Sequence, residues 1–136
     1  MKEHGSFSYE IRGKVIFFFL TGAFNEYGMA SCLAAQKDAI ETFADEPCFL
    51  LVDCTTQIGA TPETYELVDK FYADLNYENL SAIALVHTQP TLKHLENRDI
   101  PMMKNHNSKV FSDIPSALSW FDTQSCRKSI KSAHKD

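Results

Sequence analysis

The stretch from Cys48 to Glu66, CFLLVDCTTQIGATPETYE, constrains the fold more than any other part of the chain. Its first five residues are apolar, which is too short a run for a helix and typical of a strand buried on both faces. The polar residues from Asp53 to Gly59 then predict a loop, and Thr61-Pro62 predicts the start of a helix. Open α/β sheets bind ligands and partners where a strand ends in this way.

Four more segments have the pattern of strands. The first alternates apolar and polar residues and predicts an edge strand, and a turn at Gly13 joins it to the second as a hairpin. The second contains three consecutive phenylalanines, which cannot all face one side of a sheet, so we expect both of its faces to be covered. These four segments are Phe7–Ile11, Val15–Thr21, Ser81–His87 and Val110–Phe111.

Apolar residues at helical spacing predict helices between these strands. The predicted helices are Glu26–Ala44 with Asn25 as N-cap, a helix from Thr61 with Val68, Phe71, Tyr72 and Leu75 inward, pieces around Thr91–Asn97 and Ile100–Asn105, and Ile114–Phe121 capped by Ser112 or Asp113. Strands that alternate with helices imply parallel pairing with right-handed crossovers. We therefore predict an α/β fold, with one mixed, mainly parallel five-stranded sheet, an N-terminal β-hairpin and about four crossover helices.

Size and charge limit the class of protein. A chain of 136 residues is expected to form one domain, here residues 1–124, followed by a basic and disordered tail at 125–136. The net charge of −5 argues against nucleic acid as the main partner. The longest apolar run, Val15–Leu20, is too short for a membrane helix, and the polar N-terminus does not resemble a secretory signal. We expect a cytoplasmic protein without an integral membrane segment.

Asp53, Cys54 and His87 lie at the carboxyl ends of predicted parallel strands, so the same edge of the sheet should carry all three. A cysteine and a histidine with a carboxylate nearby are the groups of a thiol nucleophile. The surrounding sequence has no signature of such an enzyme, and a buried cysteine with a capping histidine is the simpler interpretation. A Cys-dependent enzyme is therefore the third hypothesis, and no catalytic residue is assigned.

Neither a metal site nor a disulfide is predicted. His87, His94 and His106 match no spacing known for metal ligands, and the four cysteines form no CxxC pair. We expect no metal and no cofactor.

Three segments together resemble the STAS family of anti-anti-sigma domains, and within it the SpoIIAA-like group. They are GKVIFFFLTGAFNE, LLVDCTT followed by TPETYELVDKF, and VFSDIPSALSWF, and the resemblance extends from Ser6 to Asp122. It implies a compact α/β domain that acts through protein contacts or small-ligand binding without chemistry of its own. The first hypothesis is accordingly a non-catalytic regulatory protein-interaction module, with a protein partner such as an anti-sigma-like protein or a kinase.

The resemblance also implies a switch in the loop after the third strand. Regulatory members carry an Asp-Ser pair there, whose serine is phosphorylated, whereas this chain has Ala60-Thr61-Pro62. Thr61 is the candidate phosphorylation site, although a plain N-cap explains it equally well. The candidate interaction and switch loop comprises Asp53, Cys54, Thr55, Thr56, Gly59, Thr61 and Glu63, with His87 beside it.

The SpoIIAA-like group is similar in fold to Sec14-type lipid carriers, which supplies a second hypothesis: a carrier or sensor of a lipid or small apolar ligand. Phe18, Phe71 and Tyr72 are the candidate residues of its apolar pocket, while core packing is the alternative role for them. The resemblance further implies that the helices gather on one face of the sheet. The phenylalanines on the other face would then need cover, which predicts a homodimer.

Overall fold

The computed structural model of the protein describes residues 2–88 and 106–135, with side chains described as far as residue 124. Five strands form one sheet, in which each strand pairs with the next in the chain, so the order is β1-β2-β3-β4-β5. The strands are β1 Ser6–Arg12, β2 Val15–Phe24, β3 Cys48–Ala60, β4 Leu80–Val86 and β5 Ser108–Phe111. This arrangement confirms the predicted five-stranded α/β fold.

The hairpin is confirmed as well. β1 and β2 pair antiparallel, with Arg12 opposite Val15, and Gly13 between them has a positive φ of 59°. Glycine adopts this left-handed backbone without a steric cost, so the turn can be short. The remaining strand pairs are all parallel, which makes the sheet mixed but mainly parallel.

Strands β2 and β3 extend beyond their predicted ends. β2 continues to Phe24 and β3 continues to Ala60, so residues 53–60 lie in a strand and not in a loop. The two extensions pair with each other from Thr21 opposite Thr56 to Phe24 opposite Ala60. The prediction was wrong because polar residues were taken to indicate a loop, whereas the backbone hydrogen bonds between the strands decide the conformation.

Among the described residues, two helices cover one face of the sheet. α1, Glu26–Glu41, joins β2 to β3, and α2, Pro62–Asp74, joins β3 to β4. Both connect neighbouring parallel strands in the same direction across the sheet, so right-handed crossovers place them on the same face. α1 ends three residues before its predicted end because the chain turns after Thr42, and Ala44 has a left-handed φ of 52°.

The core between these helices and the sheet contains a buried polar contact. Tyr72 of α2 donates a hydrogen bond to Gln36 Oε1 of α1 at 2.7 Å, and Gln36 Nε2 lies 3.6 Å from the sulfur of Cys32. All three side chains are buried. Because an unpaired buried polar group is costly, this contact favours one alignment of α2 against α1.

The helix α3, Ile114–Lys135, packs on the opposite face of the sheet. Phe121 stacks on Phe49 of β3 with ring centroids 4.7 Å apart, and the second core cluster also contains Phe17. The helices therefore do not gather on one face as the resemblance implies. A second subunit is not needed to cover the β2 phenylalanines, and the homodimer loses the reason for which it was predicted.

α3 begins as predicted, since Asp113 accepts a hydrogen bond from the backbone N–H of Ser116. Its backbone continues to Lys135, past the predicted end at Phe121 and through most of the segment predicted to be a disordered tail. No glycine or proline follows Pro115, so nothing in the sequence interrupts the helix. The helical pieces predicted within residues 91–105 lie outside the described residues. None of the helices formed by the described residues has the length and apolar character needed to cross a bilayer.

An arm at the N-terminus packs against the start of α1. Asn25 caps the helix by accepting a hydrogen bond from Gly28 N–H at 2.9 Å, which confirms the predicted cap. The same side chain accepts from His4 N–H at 3.0 Å and donates to Lys2 C=O at 2.9 Å. A β-carbon on Gly28 would overlap the carbonyl oxygen of His4. The glycine therefore lets the arm approach the helix.

We expect Gly28→Ala to detach this arm. The added methyl group displaces the His4 carbonyl, so the free energy of unfolding should fall by about 1–3 kcal/mol. Hydrogen exchange of the amide of His4 should accelerate in the folded protein. Gly59→Ala is the matched control, since a β-carbon there meets no atom within 4 Å. Equal stability of Gly28→Ala and the wild type, with His4 still protected, would contradict this account of the glycine.

Candidate functional site

The starts of α1 and α2 lie side by side at the carboxyl edge of the sheet. The carbonyl oxygen of Phe24, at the end of β2, accepts from the backbone N–H of Thr61 at 3.1 Å and from the hydroxyl of Thr64 at 3.4 Å. Asn25, the next residue after Phe24, caps α1. The peptide group that joins Phe24 to Asn25, at the end of β2, therefore positions the starts of both helices.

Thr61 is the N-cap of α2, as predicted. Its hydroxyl oxygen accepts a hydrogen bond from Thr64 N–H at 3.2 Å and lies 2.7 Å from the Thr64 hydroxyl. Pro62 follows at the first helical position, and Glu63 lies in the first turn, where the helix dipole favours a carboxylate. The hydroxyl of Thr61 is half-buried and already has partners within the chain.

Two irregularities interrupt the pairing of β2 with β3. Phe19 pairs with Asp53 but Thr21 pairs with Thr56, and Gly22 pairs with Gln57 but Ala23 pairs with Gly59. In each case β3 contains one more residue than β2 across the same interval, which defines a β-bulge. Bulges redirect side chains and are frequent beside functional sites.

The second bulge presents an apolar side chain to solvent. Its extra residue is Ile58, whose side chain is 73 % exposed. Two aromatic residues in the first turns of the adjacent helices are also exposed, Tyr27 of α1 by 40 % and Tyr65 of α2 by 48 %. We call Tyr27, Ile58, Thr61 and Tyr65 the edge surface. Exposed apolar groups beside a capped helix start are suited to contact another protein.

Ile58, Tyr27 and Tyr65 are absent from the predicted site. Ile58 is an apolar residue in the polar sequence TTQIGAT, and this isolation is the signal that could have identified it. Of the predicted residues, Asp53, Cys54, Thr55, Thr56 and Gly59 lie within β3. Thr56 is exposed and donates a hydrogen bond to Leu20 C=O at 2.8 Å across the first bulge.

Asp53, Cys54 and His87 do lie at the same end of the sheet, but strand geometry separates their side chains. Cys54 packs against the core under α1 and α2, whereas Asp53 alternates onto the face covered by α3. The Asp53 carboxylate accepts a hydrogen bond from Thr55 N–H at 2.9 Å. His87 is buried just after the end of β4. The predicted nucleophile and carboxylate therefore face opposite sides of the sheet.

The thiols near this edge have raised pKa values. Burial raises the pKa of Cys54 to about 12, and the negative charges of Asp53 and of an ionised Cys32 act in the same direction. Burial also raises the pKa of Cys32 to about 12. Since the thiolate is the nucleophile, a thiol that stays protonated at pH 7 cannot serve as one.

Two residues of the predicted apolar pocket, Phe18 and Tyr72, are buried in the core. Phe18 lies under the rings of Phe7 and Tyr9, with ring centroids 5.9 and 4.8 Å away, and it is fully buried. Tyr72 is buried and bonded to Gln36. Phe71 is the member of the trio that lines an open groove between α1 and α2.

The described residues hold no group of three His, Cys, Asp or Glu side chains arranged to share a metal ion. His106 Nε2 lies 2.7 Å from the backbone oxygen of Tyr72, near the C-terminal end of α2. His94 lies outside the described residues. Cys32, Cys48 and Cys54 form no disulfide with one another.

Comparisons with known proteins identify the fold. No protein-family model and no curated protein matches the sequence. An uncharacterised protein with a SpoIIAA-like fold from Shewanella loihica is similar in structure, with a TM-score of 0.65 and 13% identity, over 88% of this chain and 95% of that one. The chain has a SpoIIAA-like fold.

Two anti-sigma factor antagonists share this SpoIIAA-like fold. The antagonist from Mycobacterium paratuberculosis aligns with a TM-score of 0.60 and 13% identity over 85% of this chain and 92% of that one. The antagonist SpoIIAA in its unphosphorylated form aligns with a TM-score of 0.59 and 12% identity over 88% of this chain and 98% of that one. The alignment therefore includes nearly the whole length of both antagonists.

The pKa values of the thiols lead to a test by alkylation. Moving the pKa of Cys54 from 9.0 to about 12 lowers the thiolate fraction at pH 8 about a thousandfold. Iodoacetamide should therefore modify Cys32 and Cys54 at least about a hundredfold more slowly in the folded protein than in urea, as followed by peptide mass spectrometry. Comparable rates in the two states would show that one of these thiols is accessible and activated.

The same shift has a consequence for stability. Above pH 9 the unfolded thiols ionise while the folded thiols keep their protons, so the unfolded state binds fewer protons. The free energy of unfolding, measured by urea titration, should consequently fall between pH 9 and pH 12. Cys54→Ala serves as the control, because it should flatten this decline.

Proposed function

We propose that this protein is a non-catalytic, cytoplasmic regulatory module that binds a protein partner through the edge surface. The observation that carries the proposal is Ile58, an isoleucine 73 % exposed on a bulge that lies beside two helix starts. Placing an apolar side chain in water there has a cost that a binding partner would remove. Cys32, Cys48 and Cys54 are not joined by disulfides, which fits a reducing compartment.

The structural neighbours support a regulatory role of this kind. Two of them are described as anti-sigma factor antagonists, and the alignment includes most of each chain. An anti-sigma-like protein or a kinase is therefore the class of partner we propose. The high pKa of Cys54 and its separation from the Asp53 carboxylate favour this role over that of a Cys-dependent enzyme.

The edge surface has the composition of a small interaction site. Tyrosine supplies large contact area with few rotatable bonds and is enriched where proteins bind each other. Tyr27 and Tyr65 lie in the first turns of α1 and α2, the helices that follow β2 and β3. The pairing of these two strands holds the backbone at their ends rigid. An anchor on a rigid element loses little conformational entropy when it binds.

Ile58→Asp should weaken partner binding at least about tenfold without unfolding the protein. A charged side chain at an exposed position keeps its hydration, while loss of an apolar anchor weakens a typical interface at least about tenfold. Affinity capture from the protein's own host, quantified by mass spectrometry, would compare wild type and variant. Ile11→Asp is the matched control, since Ile11 is 43 % exposed at the hairpin end of the sheet. Partners retained by Ile58→Asp, or lost equally from both variants, would contradict the proposal.

We further propose that phosphorylation of Thr61 switches this surface. A phosphate at the cap would lie at the positive end of the α2 dipole, three residues after Ile58 and four before Tyr65. Thr61→Asn should keep the cap and bind partners constitutively, whereas Thr61→Glu should weaken their capture at least about fivefold.

The measurement is phosphopeptide mapping of the protein from its host through growth and starvation, together with capture by the two variants. Thr61→Ala separates capping from switching, because it should lower the free energy of unfolding by about 1 kcal/mol. If Thr61 is unmodified under every condition and the Thr61→Asn and Thr61→Glu variants capture partners equally, Thr61 acts only as an N-cap.

A further inference from the structure

The two outermost strands of the sheet differ in how they are protected. Among the described residues, β1 and β5 are these outermost strands. β5 has four residues, and its second residue is Lys109. β1 has seven residues without proline, glycine or lysine, and it pairs with β2 in continuous register without a bulge. Short strands, prolines, lysines and bulges are the features that keep sheet edges from pairing, so β1 is the unprotected edge.

The backbone groups on the outer side of β1 belong to alternate residues. Lys14 C=O accepts a hydrogen bond from Phe49 N–H of β3 at 2.8 Å, so the next residue of β2 turns its backbone groups toward β1. That residue lies opposite Arg12, and the two close the hairpin as a hydrogen-bonded pair. Such pairs recur at every second residue of an antiparallel ladder. The backbone groups that point away from β2 are therefore those of Phe7, Tyr9 and Ile11.

The side chains of the same three residues form an apolar strip. They lie on the face of the sheet that carries α1 and α2, since Tyr9 stacks on Phe18 of the core under these helices with ring centroids 4.8 Å apart. Tyr9 is 48 % exposed and Ile11 is 43 % exposed, so the helices do not cover them. We call Phe7, Tyr9 and Ile11 the β1 strip. Outward backbone groups and exposed apolar side chains on the same strand suit the addition of another strand.

The opposite face of β1 carries no net charge. Its two charged side chains, Glu10 and Arg12, form an ion pair at 2.6 Å. Arg12 also lies over the ring of Phe17, 5.2 Å from its centroid. Because the whole protein has a net charge of −5, a neutral edge is a place where a second copy can approach without direct repulsion.

We propose that β1 pairs with β1 of a second copy, antiparallel about a two-fold axis at Tyr9. In this register the two Tyr9 residues face each other, and Phe7 of each copy faces Ile11 of the other. Every outward backbone group of the β1 strip is then bonded, with two hydrogen bonds at each of three residue pairs, about six in all. The two sheets join into one continuous sheet. This basis for a dimer is independent of any cover for the β2 phenylalanines.

Other two-fold registers use this edge less well. An axis at Ile11 would place Tyr9 opposite the turn residue Gly13, so fewer backbone groups of the strand would be bonded. An axis at Glu10 would place two carboxylates opposite each other, which is unfavourable. With the axis at Tyr9, Glu10 lies opposite Ser8, and no charged side chain directly faces one of the same sign.

Other occupants of this edge are less favoured than a second copy paired through β1. Pairing of β1 with β5 of a second copy leaves one unpaired edge at each end, so it would continue into a polymer, whereas two β1 strands close after two copies. A strand of a different protein needs apolar residues at the same alternate positions and no excess of negative charge. β1 itself has both properties.

This dimer uses a surface apart from the edge surface of the proposed function. The β1 strip lies at the side of the sheet, whereas Ile58 lies near the carboxyl end of β3. Ile11→Asp should therefore dissociate the dimer and still capture the partner that binds at Ile58, while Ile58→Asp should do the reverse. In capture from the host, Ile11→Asp should lose only untagged copies of its own chain. A failure of one proposal is thus distinguishable from a failure of the other.

Sedimentation of the full chain is the first test. Two paired strands of seven residues form an interface no larger than the ~1,200 Å² at the lower limit of stable complexes, so we expect a monomer–dimer equilibrium in the micromolar range. Ile11→Asp should weaken the dimer at least about tenfold, because a charged side chain then faces Phe7. Ile58→Asp is the matched control, with the same change of side chain and charge, and should leave the dissociation constant unchanged. Circular dichroism would show that both variants are folded.

Disulfide formation tests the register without relying on these variants. The Cys126→Ser background removes a competing thiol. In it, Tyr9→Cys should give a disulfide-linked dimer under mild oxidation, because facing residues of a hydrogen-bonded pair have Cα atoms about 5.5 Å apart, within the range of a disulfide. Ile11→Cys is the control. Its two copies lie four positions apart in this register, about 13 Å, and should not cross-link.

Several results would overturn the proposal. They are a protein that stays monomeric up to about 500 µM, a dimer that Ile11→Asp does not weaken, and cross-linking of Ile11→Cys as rapid as that of Tyr9→Cys. Oligomers that grow beyond the dimer with concentration would assign the edge to pairing of β1 with β5. A monomer whose Ile11→Asp variant loses a captured protein that Ile58→Asp retains would assign the edge to a strand of another protein.

Discussion

The pairing of β2 with β3 is the interaction on which the rest of the structure depends. It continues past the buried core to Phe24 and Ala60, where one carbonyl group receives hydrogen bonds from two residues at the start of α2. Because α1 begins directly after Phe24, the same pairing fixes both helix starts. The two bulges, the exposed Ile58 and the alignment of α1 beside α2 all follow from the length and register of this strand pair.

Local chemistry was enough to predict most of the elements. Asparagine and threonine side chains commonly cap helices, and Asn25 and Thr61 are both N-caps in the structure. Strands with apolar runs or strict alternation were found because burial on one or two faces imposes those patterns. The far halves of β2 and β3 were missed because their polar residues have no buried face. Their conformation depends on pairing with each other, which no single segment reveals.

Sequence patterns could not predict which face of the sheet α3 covers or that Ile58 is exposed. The reason is related to that for the missed strand ends. An amphipathic pattern shows that a helix packs on a sheet but not on which side. No described strand follows α3, so no crossover rule directs it. Ile58 is exposed because β3 holds one residue more than β2 across a bulge. That count is a property of register, so the sequence located the edge of the sheet correctly but not the side chain that reaches solvent there.

The order of the sheet has a consequence for how the protein is made. Since every strand pairs with the one before it, a chain emerging from the ribosome can add each new strand to the open side of the structure already formed. Within the residues that the structure describes, no strand has to be inserted between two others. The pairing of these strands can thus proceed as the chain is synthesised, whereas the face that carries Phe17 and Phe49 is covered only after α3 has been made.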